Sequence, residues 1–492
     1  MKKLPSFIFG SMIILLIFSF ISSDFRSGYR IPREARSLAA ADLDNDSDLD
    51  VFAGHNLSSV SGWSGLSVVL NTGAGYFQLT DSLFVDSGAH NVGSDLLDGN
   101  DLADIFYIHR SDSPLKSYAG IIYDFGASQF TNSQSVLLTS GYMADLIRSG
   151  DIDADGDKDL VFACYEGKKW GFTLNEGQGI FSSPVIHDLS YLPQGFDVAD
   201  LNGDSREDIV IGGSYYGGGG ITEIFYSLSG GFQNDSLTTQ SSSVHISDMD
   251  HDGDNDVVCL NDVLFLTTIR IFENTGTQDF ISHIQDNMMV SSYSSILSDL
   301  NNDNLPDLLV LPGSLDDIYI FMSAGNCELN DEARLAVAWE GETRRDIASG
   351  DFDGNGYNDI ALIRDFPDDI FLSNLLFFFN DGSGNFNPDP LSIEEHLTEK
   401  ADLFCFPNPF HEELTITVNL QYDSRILIEV IDIQGNVVVT LFDGYMDSGK
   451  HNFKWNCVDT GGKSCPAGIY FVRLIRNGKS QTVYKTVINI SL

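Results

Sequence analysis

The stretch DIDADGDKDLVFA, residues 151–163, decides the fold. Five aspartates alternate with Ile152, Ala154, Gly156 and Lys158, and an apolar run starts at Leu160. Asp is a poor helix former and a good turn former. The Leu-Val-Phe run that follows suits a buried strand. An acidic turn therefore feeds directly into a core strand.

Working outward, six more nonapeptides follow the same rule. DLDNDSDLD (42–50) precedes VFAG, LLDGNDLAD (96–104) precedes IFYI, and DLNGDSRED (200–208) precedes IVIGG. DMDHDGDND (248–256) precedes VVCL, DLNNDNLPD (299–307) precedes LLVLPG, and DFDGNGYND (351–359) precedes IALI. Successive starts lie 54, 55, 49, 48, 51 and 52 residues apart. Such a period signals a propeller, solenoid or array. About 20 residues after each loop comes an apolar strand, a Gly- or Asn-rich turn and usually an aromatic, as in VVLNTGAGYF (68–77) and FTLNEGQGIF (172–181). The sixth copy, YIFMSAGNCEL (319–329), lacks the final Phe. Four antiparallel strands per repeat and seven repeats predict an all-β, seven-bladed β-propeller over residues 24–390.

The common pattern is D-x-[DN]-x-[DN]-x-x-x-D, with side-chain oxygens at positions 1, 3, 5 and 9. The candidate ligands in the first three loops are Asp42, Asp44, Asp46 and Asp50; Asp98, Asn100 and Asp104; and Asp151, Asp153, Asp155 and Asp159. The next two loops offer Asp200, Asn202, Asp204 and Asp208, then Asp248, Asp250, Asp252 and Asp256. The last two offer Asp299, Asn301, Asp303 and Asp307, then Asp351, Asp353, Asn355 and Asp359. Hard oxygen donors on a flexible loop suit Ca²⁺, in up to seven sites. Packed carboxylates without a cation repel one another. Loop 96–104 is the least complete, with Leu96 at position 1 and Asp95 one residue out of register. Gly or Asn at position 4 or 6 lets every loop turn tightly. No bidentate Glu stands at position 12 and no helix pattern follows, so these are not EF-hands.

These loops with their following strands resemble FG-GAP/VCBS repeats, the blades of integrin-α-like propellers. The resemblance covers about residues 35–390. It implies calcium in the loop joining the two inner strands, bracing each blade.

Charge agrees with that picture. The chain has 492 residues, 71 acidic against 27 basic, for a net charge of −44. Of the acids 55 are Asp and 16 are Glu, a bias that a merely solubilising surface does not need. So acidic a chain is repelled by nucleic acid. Yet 42% hydrophobic and 11% aromatic content is too apolar for a disordered acidic chain. Residues 24–401 hold 62 of the acids and 17 bases, whereas residues 402–492 hold 9 acids and 8 bases. The body and the tail are therefore different domains, joined by a polar linker at 391–401.

At the N-terminus, Lys2-Lys3, the apolar run 6–21 and Ser22-Ser23 read as a Sec-type signal peptide over residues 1–23. No later run approaches transmembrane length. Export permits disulfides, and Cys457 and Cys465, flanking VDTGGKS, are the expected pair. Cys164 and Cys259 sit in apolar runs and read as buried small residues.

The tail alternates as short strands, among them LTITVNL (414–420), ILIEVIDI (426–433) and IYFVRLI (469–475), which predicts an immunoglobulin-like sandwich over 402–492. FPNPF (406–410), VIDIQGN (430–436) and PAGIYFVRL (466–474) resemble the type A sorting domain of type IX secretion substrates. The stretch 455–470 is also similar to the immunoglobulin-like domain of flagellar hook-capping proteins. The sorting resemblance implies the type IX machinery as partner and passage to the outer surface of a Gram-negative bacterium, or release from it.

Antiparallel strands alternate ends, so the acidic loops and Gly-rich hairpins share one face of the propeller. The opposite face is expected to bind a protein or glycan ligand. Its candidates are Trp63, Trp170, Tyr215 and Tyr216, with His90, Tyr142, Tyr191, Tyr293, Arg344 and Arg345 in the same set of connectors. No paired acid and base outside the loops and no H-E-x-x-H, G-x-S-x-G or P-loop motif supports catalysis. The expected function is a noncatalytic binding or adhesion propeller. The alternative is a propeller polysaccharide lyase or glycoside hydrolase.

Overall fold

The computed structural model describes residues 29–32, 34–56, 65–73, 75–85, 88–112, 115–128, 130–216, 218–263, 266–276, 278–288, 292–312, 317–330, 333–336, 343–365, 372–382, 386–388, 402–406, 414–420, 424–432, 437–447, 449–466, 469–476 and 479–487. The signal-peptide reading, the 391–401 linker, Trp63 and the PNP motif lie outside them. The chain divides into two compact units, 1–392 and 393–492.

Among the described residues the first unit contains seven antiparallel sheets of at least four strands. Each begins with the strand that leads into an acidic loop: Ala35–Ala41, His90–Asp95, Leu146–Gly150, Leu192–Ala199, Ser243–Ser247, Ser292–Ser298 and Thr343–Gly350. We number the sheets 1 to 7 in that order. The strand after each loop pairs with the one before it, so the loop is the turn of a hairpin, as Gly150 opposite Asp159 shows in sheet 3.

The second strands are buried on both faces. In Asp159–Cys164 every residue is buried. Side chains alternate along a strand, so Leu160, Phe162 and Cys164 enter the core shared with sheet 2, while Val161 and Ala163 enter the core shared with sheet 4. Every sheet is sandwiched this way. Seven apolar cores each join one sheet to the next, and the seventh joins sheet 7 back to sheet 1 through Phe352, Phe377, Leu38 and Val51. The sheets thus close a ring, the architecture of a β-propeller.

Closure uses the N-terminus. Tyr29–Pro32 pairs with Leu372–Asn380 and becomes the outer strand of sheet 7, with Ile31 fully buried. First and last turns of the ring are therefore sewn into one sheet. Cys164 and Cys259 are buried free thiols, and burial pushes them up to about 12 and about 11.

The second unit packs the sheet Asp402–Phe406, Leu414–Leu420, Gly449–Trp455 against the sheet Val437–Met446, Ser424–Asp432, Ile469–Arg476, Lys479–Val487. Leu414, Ile416, Val418, Ile428, Val430, Trp455, Val472 and Leu474 make the shared core. The expected Cys457–Cys465 disulfide is absent. Both thiols are free, although the two residues face each other across a hairpin and Cys465 N–H donates to the Cys457 carbonyl at 2.7 Å.

Candidate metal centres

Each acidic loop is built on the same hydrogen bonds. The position-9 aspartates Asp50, Asp104, Asp159, Asp208, Asp256, Asp307 and Asp359 are fully buried. One oxygen of each accepts the position-2 N–H, as in Ile152 to Asp159 at 3.1 Å. The other accepts the N–H at the end of the third strand, as in Asn175 to Asp159 at 2.7 Å. Position 9 is thus a latch between loop and hairpin, as well as a carboxylate facing the loop. Burial, only partly offset by these bonds, pushes Asp50, Asp159, Asp208 and Asp359 up to about 7 and Asp104, Asp256 and Asp307 up to about 6.

Position 1 organises the turn. Asp151 accepts the N–H of Asp155 at 3.1 Å and of Gly156 at 3.0 Å, and Asp42, Asp248, Asp299 and Asp351 repeat both bonds. In loop 200–208, Asp200 keeps the position-6 bond, from Ser205, and accepts from Asn202 and Gly203 in place of position 5. Position 5 accepts the position-7 N–H in all seven loops. These bonds bend the chain so tightly that positions 4 and 6 both take positive φ in six loops. Ala154 (58°), His251 (64°), Ser47 (76°) and Ser205 (67°) adopt it without being glycine. The sequence rule of one permissive residue per loop understated the demand.

Position 3 carries the clearest sign of a missing partner. An oxygen of Asp44, of Asp153 and of Asp250 is buried with no hydrogen-bond partner. Burial, then the neighbouring carboxylates, raises all three, and burial raises Asp353. Oxygens of Asp42, Asp44 and Asp50 lie within 4.8 Å of one another, as do those of Asp151, Asp153 and Asp159, and those of Asp248, Asp250 and Asp252. A polar oxygen buried without a donor is costly, and a cation bound by oxygens is the group that fits it. The asparagines in the ligand pattern serve the turn too: Asn202 and Asn301 accept the N–H two residues on.

Loop 96–104 departs from this plan. Leu96 at position 1 is 45% exposed. Asp95 caps the Leu96 N–H and receives the Ser149 hydroxyl of sheet 3 at 2.6 Å, so it serves the neighbouring sheet. Asp124, at the end of the third strand, joins Asp98 and Asp104 instead and accepts from the Asn100 amide at 2.7 Å. The sequence pattern missed Asp124 because it lies 20 residues beyond the loop. The corresponding position in other repeats, Asn71, Asn175, Asn274 or Asn380, was the available signal.

Those four asparagines bind neighbouring sheets together. Asn175 donates to Leu97 O of the preceding loop at 2.7 Å and to Lys158 O of its own loop at 3.2 Å, and it accepts the Gly177 N–H. Asn71, Asn274 and Asn380 do the same toward Phe352, Leu201 and Leu300. In sheet 2 the expected Gly-rich hairpin is instead a helical turn, Phe125–Ser128, and the Gly126 N–H reaches Leu43 O at 2.9 Å. The hairpin aromatics pack on the preceding position-2 side chain, as Phe77 does on Phe352. In sheet 6, buried Cys327 replaces the missing Phe and packs with Met249.

On the opposite face the candidates separate. Trp170 is not a surface residue: it is 1% exposed and stacks on His187 beside Phe225 and Phe232. An aromatic at that strand position fills the core between sheets 3 and 4. Tyr191 is likewise buried, donating to Ile211 O. Tyr216 is 76% exposed beneath the Lys168 ammonium, and Tyr215 is partly exposed. Tyr142 and Tyr293 are also exposed, whereas the side chains of Arg344 and Arg345 lie outside the described residues.

Comparison with known proteins follows these divisions. The FG-GAP-like repeat family matches residues 151–211, 248–310 and 299–362, and the secretion system C-terminal sorting domain matches residues 405–489. The chain carries FG-GAP-like repeats of a β-propeller followed by a type IX sorting domain, so it is a secreted or cell-surface protein and the secretion machinery is a partner of its tail. No curated protein matches it. A solved structure of an Agrocybe aegerita lectin, described for specific recognition of non-reducing terminal N-acetylglucosamine, covers 64% of this chain and 82% of that chain at 16% identity, with a TM-score of 0.45. Among the described residues no helix is long and apolar enough to cross a membrane.

Proposed function

We propose that the protein is a calcium-stabilised, noncatalytic binding or adhesion propeller, displayed on or released from the outer surface of a Gram-negative bacterium. Its ligand, a protein or a carbohydrate, meets the face opposite the acidic loops. The observation that carries the calcium reading is the buried, unpartnered oxygen on Asp44, Asp153 and Asp250, each among further carboxylates. Positions 1, 3, 5 and 9 would hold the ion, and in loop 96–104 Asp124 would stand in for position 1. The bound ion supplies positive charge and nothing reactive. The chain does the rest: position 9 ties the loop to the hairpin, and the hairpin asparagine ties it to the preceding sheet.

The carboxylates of the loops are accounted for by this role, which leaves the noncatalytic reading ahead of a lyase or hydrolase. One site filled at ten times its Kd stabilises by about 1.4 kcal/mol. Several sites acting on one ring shift the melting temperature by many degrees. The test is calorimetric melting of the mature protein in millimolar calcium and in chelator. A large drop on chelation is expected, and an unchanged melt overturns the calcium reading. Product release from any of a panel of polysaccharides would overturn the noncatalytic one.

A further inference from the structure

The inner strands of the ring enclose a cavity of about 640 Å³ on the propeller axis, lined from all seven sheets. That volume lies within the usual range for small-molecule sites. Its lining residues run along the inner strands, from Arg36 and Tyr293 near their starts to Ser94 and Ser149 near the acidic loops.

The charged groups of the wall are already occupied. Asp346 accepts the Leu38 N–H at 2.9 Å and the Ser294 hydroxyl at 2.6 Å. Asp262 accepts the hydroxyls of Ser242 and Ser292 at 2.8 and 2.9 Å. Asp145 pairs with Arg110, and Arg36 with Glu34. Arg148 lies 3.9 Å from Asp197 and donates to the Ile147 carbonyl, with its side chain 41% exposed. No spare carboxylate is left to hold an ammonium ion. No unopposed cation is left to hold an anion against the field of a −44 chain.

The rest of the wall is neutral and mixed. Serine hydroxyls recur around it, those of Ser242, Ser292 and Ser294 donating to Asp262 and Asp346 and so presenting acceptor lone pairs. Gln194 adds an amide, and His245 sits with Nε2 at 2.7 Å from Ser295 Oγ and 3.2 Å from Ser243 Oγ. Burial pushes His245 down to about 4, so the ring is neutral at pH 7, with Nε2 shared between the two serine hydroxyls. Tyr293 lines the cavity and is 48% exposed, giving an aromatic face at the mouth. Interleaved donors and acceptors beside a stacking ring match a polyhydroxylated ring and match neither a lipid nor an ion.

We infer that the axial cavity is a binding site for a neutral saccharide, with Tyr293 stacking on the sugar ring and Gln194 and the serine and His245 groups of the wall bonding its hydroxyls. This deepens the proposed function and rests on its noncatalytic binding reading. The probes are cellobiose, lactose and chitobiose, with galacturonate and ethanolamine as charged comparators. The full mature chain in millimolar calcium is titrated by calorimetry and saturation-transfer NMR. At least one neutral disaccharide should bind and be recovered intact. Tyr293→Ala and Gln194→Ala should each weaken binding about tenfold without moving the melting temperature, while Tyr445→Ala, at an exposed tyrosine of the tail, should not.

Failure of every neutral probe, binding of only a charged one, or affinity indifferent to both cavity variants overturns the inference. A cleaved probe overturns the noncatalytic reading instead, and the chelation melt judges calcium separately.

Discussion

Loops 151–159 and 96–104 occupy the same place in adjacent sheets and solve it differently. The first draws all its carboxylates from nine consecutive residues and leaves an Asp153 oxygen buried without a partner. The second has lost position 1 to an exposed Leu96 and recruits Asp124 from the end of the third strand. Both keep the latch, since Asp159 and Asp104 each accept two backbone N–H groups. The latch is therefore the invariant part of the repeat, and the carboxylate cluster is the adjustable part.

The largest expected effect separates these parts by pH. In the calcium-free protein the latch aspartates stand at about 6 to 7, against an ordinary 3.8. Raised carboxyls contribute stability that is fully present below about pH 4 and is lost as pH rises through 6 to 7. Melting in chelator should therefore worsen from pH 4 to about pH 7 and level off above it. Saturating calcium favours the ionised carboxylates and should flatten or reverse that slope. Within the apo protein, carboxyl NMR should find Asp104 and Asp159 both titrating well above the ordinary carboxylate range. The same slope with and without calcium would break the link between latch and cluster.

Removing a latch comes next. Asp159→Ala and Asp104→Ala each orphan two buried N–H groups, about 2–5 kcal/mol by denaturant unfolding. In chelator the two losses should be similar. In calcium the loss at Asp159 should exceed that at Asp104, because the fuller cluster is dismantled too. Asn175→Ala should cost about 1–3 kcal/mol through the bonds to Leu97, Lys158 and Gly177. Sheet 2 has no such asparagine, and Gly126 N–H makes the equivalent bond from the backbone, so Asp124→Ala should leave that tie to sheet 1 intact.

Much of this was legible in the sequence, for physical reasons. The nonapeptide period marks the repeats because each loop needs acids at fixed spacing, and the apolar run after it must feed two cores at once, as Leu160 to Cys164 do. The split between acidic body and neutral tail marks two units because only one carries such loops. Contacts to the loops from residues outside them, and contacts between repeats, were not legible. Asp124 and Cys327 are distant in sequence from the loops they serve, and the pairing of Tyr29–Pro32 with Leu372–Asn380 spans the whole ring. Exposure was misjudged at Trp170, because an aromatic beside Gly-rich turns reads the same whether it faces solvent or fills the seam between two sheets.

The smallest effect tests whether the tight turn itself is strained. Ala154 holds φ at 58°, a region that costs an L-residue roughly 1–2 kcal/mol. Ala154→Gly removes that cost but adds about 0.4–1 kcal/mol of unfolded-state entropy, so the net gain should lie between zero and about 1.6 kcal/mol. Gly99 already occupies the same position in loop 96–104 at φ 79°, and Gly99→Ala should lose a similar amount. A Cβ at Gly99 would meet nothing within 4 Å, so it would not touch the cluster directly. Equal and opposite shifts, unchanged by calcium, would assign the strain to the backbone turn. A gain at Ala154 that appears only in chelator would instead show that the ion holds the turn in place, making the left-handed residues part of the cation site.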